Sequence, residues 1–234
     1  MKKAYITVLL AIGINNLVFS QTETWLSFGF EYGNFWESSS DVSDSIKGYI
    51  GSPGINLSVY NFWNNGNIGL FVHDIFAFPK KMTAESNGVK TEVDLDTYDF
   101  MMQVGIIIGP GFRYNITDDF KLYFGAGLSF LLSTASYTRS TYLYYNVSYN
   151  DSYSVLAYNL GIGGDIGLKY DITDVFYLNL GSIIVYDFFN YTILSSSFSS
   201  SSASAKNYSM IHLRPYICIG FNFYRTNDNM GKPK

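Results

Sequence analysis

The chain has 234 residues, with 21 Tyr, 19 Phe and 21 Gly, and only 15% are charged. The hydrophobic fraction is 47%, yet mean hydropathy is close to zero. That balance excludes a helical membrane protein and suits a fold that turns alternate residues toward hydrocarbon and toward an interior. The formal charge of −4 argues against nucleic acid as a partner, and the single Cys218 excludes an internal disulfide.

Residues 1–20 read as a secretory signal. Lys2 and Lys3 form the basic start, Ala4 to Gly13 the apolar core, and Val18 and Ser20 the small-residue site for cleavage before Gln21. Asn15 and Asn16 interrupt the apolar run, well short of the ~20 residues a spanning helix needs. No Cys lies near the cut, so no lipid-modified terminus is expected. Cleavage removes two of the 15 basic residues and leaves a formal charge of −6.

From there the sequence alternates. Trp25–Gly33 puts Leu26, Phe28, Phe30 and Tyr32 on one face. Residues 55–62 and 68–78 form a hairpin around Asn64–Asn67. Asp74 falls on the outward face of its strand, which predicts a bulge or a membrane rim there. In 103–114, Val104, Ile106, Ile108, Pro110, Phe112 and Tyr114 oppose Gln103, Gly105, Gly109, Gly111 and Arg113. The same pattern runs through 121–132, 156–170, 176–188 and 211–223. Period two over so many residues is long for a soluble strand, which averages about five or six. It fits tilted strands crossing a bilayer, with aromatic and β-branched residues suited to the pleat.

Eight such segments predict an all-β fold: an eight-stranded antiparallel transmembrane up-and-down β-barrel over residues 21–225, followed by a short polar periplasmic tail, 226–234. Connections alternate in length. Short turns fall at 64–67, 117–119 and 173–175. Long polar segments fall at 34–52, 79–97, 136–152 and 191–209, and are expected as extracellular loops. The last carries a serine-rich run, Ser195 to Ser204, expected to be flexible.

An internal repeat marks the periplasmic side. Tyr114-Asn-Ile-Thr-Asp-Asp-Phe-Lys-Leu122 matches Tyr170-Asp-Ile-Thr-Asp-Val-Phe-Tyr-Leu178. Thr117, Asp118, Thr173 and Asp174 are the candidate turn residues, since Thr and Asp hydrogen-bond turn backbone. The flanking Tyr and Phe suit an interfacial aromatic girdle. On these hairpins, the signal and the strand count, the chain resembles the small outer-membrane barrels of the OmpA-like and OmpW-like superfamily over nearly all of its mature length. That resemblance implies insertion among outer-membrane lipids by the barrel-assembly machinery. The last strand, with Phe221, Phe223 and Tyr224, looks like the aromatic assembly signal, although Arg225 to Lys234 follow it where the signal usually ends the chain.

An eight-stranded interior is just wide enough for side chains. The inward face holds many glycines with Glu31, His73, Arg113, Lys121, Asp165, Lys169, Asp187 and Arg214 among them. Buried charges are costly unless paired, so a salt-bridged polar plug is expected. A narrow ligand or ion passage is the alternative, because the glycines leave room. Catalysis is not expected. The only histidines, His73 and His212, lie in no His-x-Ser strand pattern of the kind lipid-modifying barrels use. No cofactor or metal is expected either: Glu85, Glu92, Asp94, Asp96 and Asp99 match no calcium-loop spacing. Six tyrosines between Tyr137 and Tyr153 offer large amphipathic area for an extracellular ligand or host surface.

Overall fold

The computed structural model describes residues 22–39, 46–63, 66–86, 88–143, 147–196, 200–201 and 208–225. The expected signal peptide, the polar tail, part of the turn at 64–67 and part of the serine-rich run lie outside them. Eight long strands make the wall: β1 (Thr22–Ser39), β2 (Ile46–Trp63), β3 (Ile68–Ala77), β6 (Phe100–Asn115), β7 (Phe120–Leu143), β8 (Val147–Asp171), β9 (Phe176–Ser196) and β11 (Tyr208–Arg225). Each pairs antiparallel with its neighbour along the chain, and β1 pairs with both β2 and β11, so the sheet closes on itself. From Ala77↔Gln103 to the turn end the wall strands are paired on both sides, which is what hydrocarbon demands of a sheet.

The outer wall carries the apolar side of the alternation. Phe30 is 68% exposed and Leu128 60%, values that only a nonaqueous surrounding makes favourable for so many residues together. Phe120 and Tyr170 pair at 4.6 Å, and Phe176 and Phe221 at 5.0 Å, at the end that carries the short turns. On β7 the outward series Leu122, Phe124, Leu128, Phe130 and Leu132 gives way to Thr134, Ser136 and Thr138. On β8, Leu156 gives way to Ser154 and Ser152. Thr134 pairs with Leu156 and Ser136 with Ser154, so the polar switch occurs at one level, where the apolar band ends.

The long polar segments are largely strand. β7 has 24 residues and β8 has 25, against the ~9–11 that a crossing needs. At about 3.3 Å per residue, the pair runs far beyond the apolar band. The expected loop 136–152 is a ladder from Ser136↔Ser154 to Leu143↔Val147. Residues 34–39 and 46–52 are strand, and 79–97 contain a hairpin of β4 (Lys81–Ser86) and β5 (Val89–Glu92) with a 3-10 turn at Leu95–Thr97. A two-residue strand, β10 (Ser200–Ser201), pairs with the tip of β9. Polar Ser, Thr and Tyr pair well above a membrane, where neither face meets hydrocarbon, so the apolar alternation fades while the strands continue.

Asp74 sits in a regular ladder between Leu57 and Ile106, on the outer face, without the expected bulge, and is 7% exposed. The bulge is on β9, where the register slips opposite Leu160/Gly161. Phe188 and Phe189 there both point outward, 52% and 48% exposed, and the parity reverses so that Asp187 below and Asn190 above both face in.

Candidate functional site

The interior is built in three layers. At the turn end, Trp25 is 2% exposed and Phe62 fully buried. Trp25 donates from Nε1 to Glu23 Oε1 at 2.8 Å, and Arg113 pairs with Glu23 while its guanidinium lies 4.7 Å from the Phe62 ring. Lys121 and Lys169 both pair with Asp171, and Asn222 Nδ2 donates to the same carboxylate at 2.9 Å. The Lys169 ammonium also sits 4.5 Å from the Trp25 and Tyr177 rings. Cations over ring faces gain from the ring quadrupole once water is excluded.

The middle layer is centred on Asp165. Tyr216 donates to Asp165 Oδ1 at 2.7 Å, and Tyr60 donates to Oδ2 at 2.7 Å. His73 Nδ1 lies 3.3 Å from Oδ2. Tyr123 and Tyr216 hydroxyls meet at 2.6 Å, and Tyr123 also bonds Asn179. On the far side of His73, Asn56 joins its Nε2 and donates to Glu31 Oε2 at 3.4 Å, while Arg214 Nη1 reaches Glu31 Oε1 at 3.4 Å. Cys218, the free thiol, approaches Asn56 Oδ1 at 3.5 Å.

Glycine makes these layers fit. A Cβ built on Gly125 would lie 2.5 Å from the Phe71 ring, on Gly167 2.2 Å from Tyr123 Oη, on Gly181 2.4 Å from Tyr216 Oη, and on Gly220 2.1 Å from Tyr177 Cζ. The glycines do leave room, as the sequence implies, but aromatic rings from other strands occupy it. Tyr60, Phe62, Phe71 and Tyr177 are buried with Trp25 in one cluster. Their parity on the strands would have identified them, although the outward aromatics dominate the composition.

Above this, Phe35 stacks on His212 at 5.0 Å, Arg214 lies 4.6 Å from the Phe35 ring, and His212 Nε2 meets Asp187 Oδ2 at 2.8 Å. Both histidines are fully buried, so neither meets solvent or lipid, and each contacts an aspartate. All eight residues expected on the inner face project inward, seven of them buried and Lys121 half-buried. The pairing partners Glu23 and Asp171 share the inward parity but lie just outside the alternating segments 25–33 and 156–170. Among the described residues no cluster of His, Cys, Asp or Glu has the arrangement of a metal site.

Over Met210 the interior opens into a vestibule of about 260 Å³ at the end opposite the short turns, walled by Met82, Met101, Met102, Met210, Ile50 and Tyr98, with Gln103, Asn159, Asn190, Thr192 and Glu37. One side of its wall is thin. Above Ala77↔Gln103 no ladder joins β4 to β6. Pro79, Tyr98 and Met101 fill the seam, with an outer groove of about 760 Å³ on its other side, over Phe30, Ile55 and Phe78.

At the turn end, the repeated hairpins match in detail. Thr117 Oγ1 accepts from Phe120 N at 3.0 Å and Thr173 Oγ1 from Phe176 N at 2.9 Å. Asp118 and Asp174 offer backbone carbonyls, to Lys121 Nζ and Asn222 Nδ2. Phe221 and Phe223 face outward, and the backbone of Tyr224 pairs with Glu23, its side chain lying outside the described set.

No protein-family model matches the sequence, and no curated protein matches it. Solved structures do match. The outer membrane protein OprG from Pseudomonas aeruginosa superposes with a TM-score of 0.54 at 10% identity, over 88% of this chain and 97% of that one. A major outer membrane protein from Thermus thermophilus gives 0.55 at 11%, over 83% and 99%. The fold is that of a small outer-membrane β-barrel. At such low identity the likeness extends to the architecture alone, the one the Tyr-x-Ile-Thr-Asp hairpins imply.

Proposed function

We propose that this small outer-membrane barrel is a non-catalytic, sealed wall that works at its extracellular face. The observation that carries the reading is the filling of the glycine spaces by Phe71, Tyr123, Tyr177 and Tyr216, with paired charges above and below. A solute crossing the lumen would have to displace fully buried Phe62, Phe71 and Arg214 and break buried ion pairs, which is strongly unfavourable. The buried histidines have no reachable substrate. What remains accessible is the vestibule and the tall β7–β8–β9 wall. There Tyr137 stacks on Tyr153 at 4.9 Å, with Tyr98 edge-on to Tyr137 at 5.6 Å. These supply rigid amphipathic contact area for an extracellular ligand or surface. Single-channel recording in planar bilayers tests the reading. A sealed lumen gives no conductance steps, and regular steps from the folded monomer would refute it.

The unpaired seam favours a second reading: small hydrophobic molecules enter the vestibule and leave sideways between β4 and β6. A disulfide across the seam, made with Pro79→Cys and Met101→Cys, would abolish their uptake in that case and leave it unchanged in the first.

A further inference from the structure

We infer that the vestibule is a binding site for a small organic ammonium ion with a short apolar or aromatic body, held by Glu37. The inference rests on the sealed-wall reading, because it makes the vestibule a dead end. Glu37 faces the interior from β1, opposite Gly48 on β2 and Met210 on β11. A Cβ on Gly48 would lie 3.2 Å from the Glu37 carboxylate, so the glycine leaves the acid its place in the wall. Among the described residues no Lys or Arg lines the cavity and none forms an ion pair with Glu37.

The floor repeats the demand for donors. Gln103 is 2% exposed and Asn159 3%, and the side-chain oxygen of each has no hydrogen-bond partner. Gln103 Nε2 is turned to Ser133 Oγ at 3.5 Å, which leaves its oxygen as the free end. Buried unpaired acceptors are rare and call for a donor. An anion would be repelled by the Glu37 carboxylate, which lines the same cavity. A neutral hydrocarbon leaves them unsatisfied. An ammonium group brings up to three donors and the charge complementary to Glu37. Much of the apolar wall is methionine, whose flexible thioethers adapt to irregular apolar shapes. The size also fits, since a cavity of about 150 Å³ holds benzene and this one is about 260 Å³.

The test uses the mature chain folded into phosphatidylcholine nanodiscs, titrated calorimetrically with 2-phenylethylammonium, 2-phenylethanol and 3-phenylpropanoate. The ammonium is expected to bind at least about ten-fold more tightly than the alcohol, a ratio that one well-made charged contact supplies, and the carboxylate weakest. Glu37→Gln is expected to remove the ammonium preference and leave alcohol binding unchanged. Gly48→Leu, which crowds the carboxylate from the facing strand, is expected to weaken the ammonium as well. Equal binding of all three probes, ammonium binding indifferent to Glu37→Gln, or no binding by a heat-modifiable barrel overturns the inference. Conductance of the same preparation separates the two ideas. A silent barrel without amine binding refutes this inference alone, whereas a conducting one refutes the sealed wall.

Discussion

The Tyr60 hydroxyl on β2 donates to Asp165 on β8 at 2.7 Å from four places round the ring, so one carboxylate ties opposite walls together. With Tyr216 on the other oxygen and His73 beside it, Asp165 is the point where the middle layer converges.

Removing that carboxylate leaves three buried polar groups without their acceptor. Asp165→Ala is expected to destabilise the folded barrel by about 3–5 kcal/mol, the cost of breaking a buried polar network from one side. Urea titration of the detergent-folded protein measures it. Tyr60→Phe and Tyr216→Phe, which each remove one donor and keep the ring, are expected to lose about 1 kcal/mol apiece.

The glycine spaces make a sharper prediction. Gly220→Ala places a methyl 2.1 Å from Tyr177 Cζ, an overpacking expected to cost about 1–3 kcal/mol. Tyr177→Ala alone is expected to cost about 3–5 kcal/mol through the cavity it leaves. The double variant should fall short of the sum, because the alanine methyl enters that cavity. Additive losses in a double-mutant cycle would mean that ring and glycine do not share the space.

Much of this architecture is legible in the chain itself. The parity of Arg113, Lys169 and Arg214 gives the inward face, and the Ile-Thr-Asp repeats give the hairpins. The pairing Lys121–Asp171–Lys169 is not legible, because it depends on the register that sets Lys121 opposite Lys169 and on Asp171 extending the strand by one residue. The tall wall is hidden too. Ser136, Thr138 and Ser152 read as loop because nothing above the membrane requires one face to be apolar. The bulge at Phe188 looks like a simple aromatic doublet in sequence. Asp74, which reads as a bulge or a membrane rim in an outward series, keeps the regular register.

The turns carry a smaller, paired expectation. Thr117→Ala and Thr173→Ala each remove the oxygen that accepts from the backbone of the Phe three positions on. Each is expected to lower stability by about 1 kcal/mol, the worth of one side-chain hydrogen bond to backbone. Serine at either position should restore it, which the same urea titration would detect.

A charge test separates the apolar band from the wall above it. Leu128→Arg, at a position 60% exposed on the outer face, is expected to cost about 2–4 kcal/mol if it lies near the bilayer midplane. Thr138→Arg, beyond the polar switch on the same strand, is expected to fall within about 0.5 kcal/mol of the parent. Folding titrations in lipid vesicles make the comparison.

The most direct measurement places nitroxide labels one at a time at 128, 129, 178 and 179, in protein folded into lipid, and reads their collision rates with oxygen and with a water-soluble nickel chelate. The account predicts that labels at 128 and 178 meet oxygen freely and the chelate hardly at all. Labels at 129 and 179, pointing into the packed interior, should meet neither. High chelate accessibility at 128 and 178, or the same profile at all four positions, would contradict a barrel with hydrocarbon outside and side chains filling its centre.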